Sequence, residues 1–214
     1  MTTPIRVAYL HAAAAAAVTL LRDPAVARSW ETPSALPEFA VSGLAGHLAQ
    51  QIFRVPEVLA GEVPASAPIA LLEHYARSRW LDAGVDDGAN VAIRRGGDDA
   101  AADGAAALAG RADGAVERLR ELLPAEPVDR VVHLPWGPWS LTLDDFLTTR
   151  LMELAVHADD LAVSVGVETP ALPPEVIEPV IDLLSRLALR RHGAAAVLRA
   201  LSRSERAPRT ISAL

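Results

Sequence analysis

The sequence predicts an all-α protein, a bundle of four long helices with long connections and extra helices near its C-terminal end. Three observations carry that expectation. Apolar residues make up 51% of the 214-residue chain, much of it alanine, while aromatics reach only 4%; such an interior is built from close helix contacts. Four stretches have helical patterning long enough for a bundle, against one stretch, 128–134, that reads as extended. Glu153 and His157 stand four residues apart inside one long helical pattern, and bundles build metal sites from side chains on facing helices.

Residues 4–29 form the first helical pattern, alanine-rich and bent at Pro24. Residues 30–39 follow as a structured loop marked by Pro33, Ser34 and Pro37. A second helix spans about 41–59, with Gly61 as its stop. Residues 62–97 are mixed. They hold Pro64, Pro68 and a short helix around 71–81, and the Gly- and Asp-rich stretch 82–99 reads as mobile. The third long helix covers about 98–123 and is ended by Pro124. After the extended segment, Pro135-Trp136-Gly137-Pro138-Trp139 reads as a turn. The fourth long helix, 143–161, ends near Gly166, and Pro170, Pro173 and Pro174 mark a linker. A further helix runs from 174 to 192 and a shorter one covers 194–204. The four long helices are expected to run up and down, with residues 1–168 as the bundle and residues 169–214 as a helical extension packed on it.

Composition excludes several classes of function. Net charge is −7 with no basic cluster, which argues against a nucleic-acid partner. Every one of the 20 basic residues is arginine, a pattern of coding bias rather than function. There is no cysteine, hence no disulfide, no thiolate nucleophile and no cysteine metal ligand; any sulfur chemistry must use an external thiol. The start lacks a basic n-region. The run 11–21 is too short to span a bilayer and is broken by Arg22-Asp23-Pro24, so no membrane association is expected and a cytoplasmic location follows by default.

Glu153 and His157 are one helical turn apart, so their side chains point the same way and can grip one divalent cation. His47, in the second helical run, is a third candidate ligand. If those helices face each other, two imidazoles and one carboxylate surround a point with an open position, the layout of catalytic zinc. Phe146, Thr149, Arg150, Glu153, His157 and Asp160 share one face of the fourth helix, beside an apolar face of Leu147, Leu151, Leu154 and Leu161. The competing reading is a solvated stripe with an ordinary Glu153–His157 pair, and a core histidine at position 47. Asp160, three residues after His157, is placed to orient that imidazole; otherwise it is a solvent-facing charge. Arg150 either holds a substrate carboxylate or pairs with Asp160 or Glu153. Trp136 and Trp139 read as packing anchors, with a pocket wall as the lesser reading. His11, His74, His133 and His192 have no partner at useful spacing, and of these His133 is the one placed to join the site. No serine sits on a strained strand-to-helix turn, so a Ser-His-Asp triad is excluded.

These residues resemble a known family. Trp30, Pro33-Ser34, Leu36-Pro37 and Val41-x-x-Leu44-x-x-His47-Leu48 are similar to the N-terminal signature of the mycothiol-dependent maleylpyruvate isomerase family, within the DinB-like four-helix metalloproteins. Pro135-x-Gly137 followed by Thr149-Arg150-x-x-Glu153-x-x-x-His157-x-x-Asp160-Leu161 resembles its second signature. The closing stretch from Arg191-His192-Gly193 through Arg206 resembles the ends of many members. The resemblance implies that His47, Glu153 and His157 hold a divalent metal, usually zinc, with an open position for water or a thiolate. It implies mycothiol as a low-molecular-weight thiol cosubstrate and a small electrophilic substrate, in an S-transferase or a thiol-assisted isomerase. Arg150 and Asp160 are then the candidate catalytic residues.

Two departures qualify the match. Ala40 stands where a capping hydroxyl is common, so Ser42 or backbone must cap the second helix. The isomerase proper carries a sizeable separate C-terminal domain where residues 169–214 follow here; this weighs against isomerisation and leaves a metal-dependent thiol transferase open. The alternatives are a hydrolase using metal-activated water and a non-enzymatic bundle stapled by its metal. A homodimer is compatible with the sequence.

Overall fold

The proline- and glycine-marked breaks in the sequence divide the chain into the following elements. The computed structural model describes residues 3–78, 84 and 86–214. Helix α1 (Pro4–Ala14) continues into a π-helical stretch (Ala15–Leu20), then α2 (Pro24–Arg28), α3 (Val41–Ala60), α4 (Leu71–Arg77), α5 (Gly88–Ala101) and α6 (Ala105–Ala125). A short hairpin, β1 (Val131–His133) and β2 (Ser140–Thr142), leads into α7 (Leu143–Val165), α8 (Pro174–His192) and α9 (Ala194–Ser202). The architecture is the all-α, DinB-like four-helix bundle, built on α1, α3, α6 and α7.

Helix directions follow from side-chain contacts. Arg6, at the start of α1, is fully buried. It donates to the carbonyls of Leu123, Glu126 and Pro127 at the end of α6 and to Asp144 in the first turn of α7. Arg22 meets Asp113 further back along α6. So α1 runs with α7 and against α6. His47 and Gln51 on α3 face residues 157–153 and 150 of α7, so α3 runs against α7. The order is therefore up, down, down, up rather than strictly alternating. The long connection from α3 to α6, which carries α4 and α5, returns the chain to its starting end. Buried leucine, valine and alanine from all four helices form one continuous core, to which α8 adds Val176, Val180, Leu183 and Leu187.

Local chemistry explains the element ends. The first helical pattern does not run to residue 29: π-type bonding, with the Leu21 amide reaching the Ala16 carbonyl, ends it. Asp23 then caps α2, accepting from the Ala25 amide at 2.8 Å, and Pro24 fills the first helical position. At α3 backbone does the capping that Ala40 cannot. The amides of Val41 and Ser42 donate to the carbonyls of Thr32 and Trp30, both at 2.9 Å. α7 opens at Thr142, whose hydroxyl accepts from the Asp145 amide at 3.0 Å. Asp144 and Asp145 then suit the positive end of the helix. α7 closes at Gly166, which has φ 71°.

Three sequence expectations are corrected. Most of the stretch expected to be mobile, 82–99, is helix α5 from residue 88 onward; residues 82, 83 and 85 lie outside the described ones, as do the last residues of the helix expected over 71–81. α5 docks on α3 backbone to backbone. A methyl at Gly46 would meet the Gly97 carbonyl oxygen at 2.0 Å, and one at Gly97 would meet that of Gly43 at 2.4 Å. Composition signalled disorder, whereas these glycines let two helices approach closely. The third helix accordingly begins at Ala105, after Gly104 with φ 88° breaks the chain from α5. Finally, β1 has a partner. Ser140–Thr142 pairs with it antiparallel, Val132 opposite Leu141.

Candidate metal centre and its cavity

α7 carries Glu153 and His157 one turn apart, and antiparallel α3 brings His47 opposite them. His157 Nε2 lies 3.1 Å from Glu153 Oε2, and His47 Nε2 lies 3.5 Å from the same oxygen. The ligand atoms of all three lie within 4.8 Å of one another. A tetrahedral site with bonds of about 2.0–2.1 Å has donor–donor edges of about 3.3 Å; the two measured distances bracket that value. Glu153 is 9% and His47 7% exposed, so the solvated stripe is not what forms. Two imidazoles and a carboxylate, convergent and with His47 and Glu153 buried and His157 half-buried, fit a divalent cation of the zinc type.

The neighbours of these three groups set their protonation. Burial would raise the Glu153 carboxyl, but hydrogen bonds from His157 and His47 hold it well below the usual carboxylate range. Burial would lower the His157 imidazole, but Asp160 and Glu153, accepting at its two nitrogens, carry it up to about 9. Burial pushes His47 down. Without a cation, the site therefore holds a protonated His157 against an ionised Glu153. Asp160 Oδ2 sits 3.0 Å from His157 Nδ1, which aims Nε2 at the point the three ligands share. His47 has no such carboxylate: its Nδ1 is buried without a hydrogen-bond partner among the described residues. Its ring is instead flanked by Phe39, centroids 6.1 Å apart.

Arg150 pairs with neither Asp160 nor Glu153. It is 8% exposed, and donates to Gln51 Oε1 and, at 3.1 Å, to Thr149 Oγ1. Gln51 lies one turn after His47 on α3. Its amide nitrogen donates to the His47 carbonyl at 2.8 Å and lies 3.3 Å from His47 Nε2. Tyr9 donates to the Gln51 carbonyl at 3.0 Å. The signal was present in the i,i+4 spacing of His47 and Gln51, but the link to Arg150 on another helix was not.

The three candidate ligands line a cavity of about 640 Å³. Trp136 and Trp139 line it, so the wall reading holds for both. His74, which has no partner by sequence spacing, lines it too. Its Nδ1 accepts a hydrogen bond from Trp139 Nε1 at 3.0 Å. Burial, helped by the charge of Arg150, pushes His74 down to about 4, so it is neutral and its proton is on Nε2. His133 does not join this site; it lines a separate cavity beside Glu57 and Glu62. No helix among the described residues is long and apolar enough to cross a membrane.

Residues 10–162 match the family model described as the mycothiol maleylpyruvate isomerase N-terminal domain. No curated protein and no solved structure matches the chain.

Proposed function

The chain belongs to the mycothiol maleylpyruvate isomerase N-terminal domain family, and from that premise we propose that it is a metal-dependent enzyme joining a low-molecular-weight thiol of the mycothiol class to a small electrophile. The observation that carries the proposal is the convergence of His47, Glu153 and His157 at a 640 Å³ cavity in a chain without cysteine. Those three residues would hold the cation, zinc being the best fit to two imidazoles and a carboxylate. When bound, the cation supplies Lewis acidity that makes a thiol's sulfur anionic at neutral pH.

The chain's own residues do the rest. Asp160 holds the His157 ring through Nδ1, leaving Nε2 free for the site. Gln51, fixed by Arg150 and Tyr9, holds the α3 backbone at His47. Neutral His74 offers an Nε2 proton to a substrate atom that gains negative charge. Walls of Trp136, Trp139 and Phe39 exclude water around the electrophile.

The test uses cobalt-substituted protein titrated with mycothiol. A sulfur ligand adds an intense near-ultraviolet charge-transfer band, and the Glu153→Gln protein should not develop it. Saturating thiol with the metal bound and no such band would defeat the thiol reading in favour of a metal-activated-water hydrolase or a non-enzymatic role.

A further inference from the structure

Among the described residues the same cavity is lined by three guanidinium groups, Arg54, Arg77 and Arg150, against one carboxylate, Glu153. The chain as a whole has a net charge of −7, so this positive charge is a local concentration. Arg77 is neutralised by Glu73. Arg54 and Arg150 are not: among the described residues no carboxylate comes within ion-pair distance of either. Their partners are uncharged. Arg150 donates to Gln51 and Thr149, and Arg54 donates to Gln50 Oε1 at 3.4 Å. Both guanidiniums lie over one ring, that of Trp136, with Cζ 4.6 Å (Arg54) and 5.8 Å (Arg150) from its centroid. Buried cations are ordinarily paired. Arg150 is buried and Arg54 half-buried; the two share an indole at a cavity wall, each with N–H groups to spare and no carboxylate among the described residues at ion-pair distance.

We infer that Arg54 and Arg150, at the Trp136 ring, seat the anionic group of the electrophilic substrate, a planar carboxylate carried on an apolar or aromatic body. The inference rests on the reading of this cavity as the place where thiol and electrophile meet. Planarity follows from the guanidinium fork, which takes a carboxylate through two parallel hydrogen bonds. The apolar body follows from the remaining wall, Phe39, Ile93 and Trp139. Arg54 is seven residues after His47 on α3, two turns or about 10 Å along the helix. Arg150, by contrast, is one turn from Glu153 on α7 and shares Gln51 with His47, so the seat runs from Arg54 towards the edge of the metal centre.

The probes are benzoate and its uncharged counterpart benzamide, titrated by calorimetry into the full chain, zinc-loaded and then metal-free. Benzoate should bind at least about tenfold more tightly than benzamide in both states. Arg54→Gln should weaken benzoate about tenfold and leave benzamide unchanged, and Arg150→Gln should do the same or more. Equal affinities, no measurable benzoate binding, or a preference that survives both substitutions would overturn the inference. So would a preference lost on removing zinc, because the carboxylate would then be on the cation. If Arg150→Gln fails to fold, Arg54→Gln decides alone, since among the described residues Arg54 makes a single, long side-chain hydrogen bond. Failure of the thiol reading appears separately, as a missing cobalt band with the benzoate preference intact.

Discussion

Gly46→Ala is the substitution in which local and tertiary physics disagree most sharply. In a helix interior alanine is favoured over glycine by about 1 kcal/mol, so a reading confined to α3 expects stabilisation. The added methyl, however, would lie 2.0 Å from the Gly97 carbonyl oxygen and 3.2 Å from Ala101 Cβ. A comfortable carbon–oxygen approach is about 3.3 Å, so α5 must retreat by roughly 1.3 Å from α3. The obstacle is backbone, which cannot rotate away. Overpacking costs about 1–3 kcal/mol; against rigid backbone the upper part of that range, about 2–3 kcal/mol, applies, so after the propensity gain the variant should be less stable by about 1–2 kcal/mol. At roughly 2–4 °C per kcal/mol for a chain of this size, Tm should fall by about 2–8 °C. Gly110→Ala on α6 is the control. It makes the same chemical change with nothing within 4 Å of the new Cβ, and should raise Tm by about 2–4 °C. Thermal unfolding followed by circular dichroism measures both. A Gly46→Ala protein as stable as the parent, or more stable, would refute the glycine-mediated docking of α5. The consequence reaches the site, because Gly46 adjoins His47 and α5 supplies Ala92 and Ile93 to the cavity wall.

Zinc-loaded protein should hold about one metal per chain, with His157→Ala losing most of it by elemental analysis; unchanged metal in both His47→Ala and His157→Ala would defeat the ligand assignment. Asp160→Asn should keep the fold and weaken zinc about 10–100-fold in a chelator competition, and parental affinity would reduce Asp160 to a surface charge. His74 titrates near 6.5 when unfolded and at about 4 when folded, so it binds protons preferentially in the unfolded chain between those values. Stability present above pH 6.5 should be lost as pH falls towards 4, by up to about 3 kcal/mol from this group. His74→Gln should flatten that acid limb in Tm measured from pH 7 to 4.5, and an identical limb in both proteins would count against it. Arg6→Met should lower stability by about 3 kcal/mol or more, since the Leu123, Glu126 and Pro127 carbonyls lose a buried donor; a denaturant midpoint unchanged from the parent would contradict this.

By itself the sequence determined the helical class and the four long helices, and it singled out the candidate ligand trio. Helical periodicity and caps are local properties: Thr142 and Gly166 bound α7 whatever packs against it. The four-residue spacing of Glu153 and His157 puts both on one face by the geometry of a single helix. The family signatures around His47 supplied the third candidate ligand. What only the tertiary structure decided are the relations between helices. That α3 opposes α7 turns His47 towards Glu153, and turns Gln51 and Arg54 towards Arg150 and Trp136. That α5 is a helix rather than a loose strand of glycine and aspartate depends on Gly43 and Gly46, some fifty residues earlier in the chain. His74 has no partner until the hairpin brings Trp139 to it. In each case the deciding free energy comes from burial and hydrogen bonding between residues distant in sequence, and one-dimensional spacing carries no record of which faces will meet.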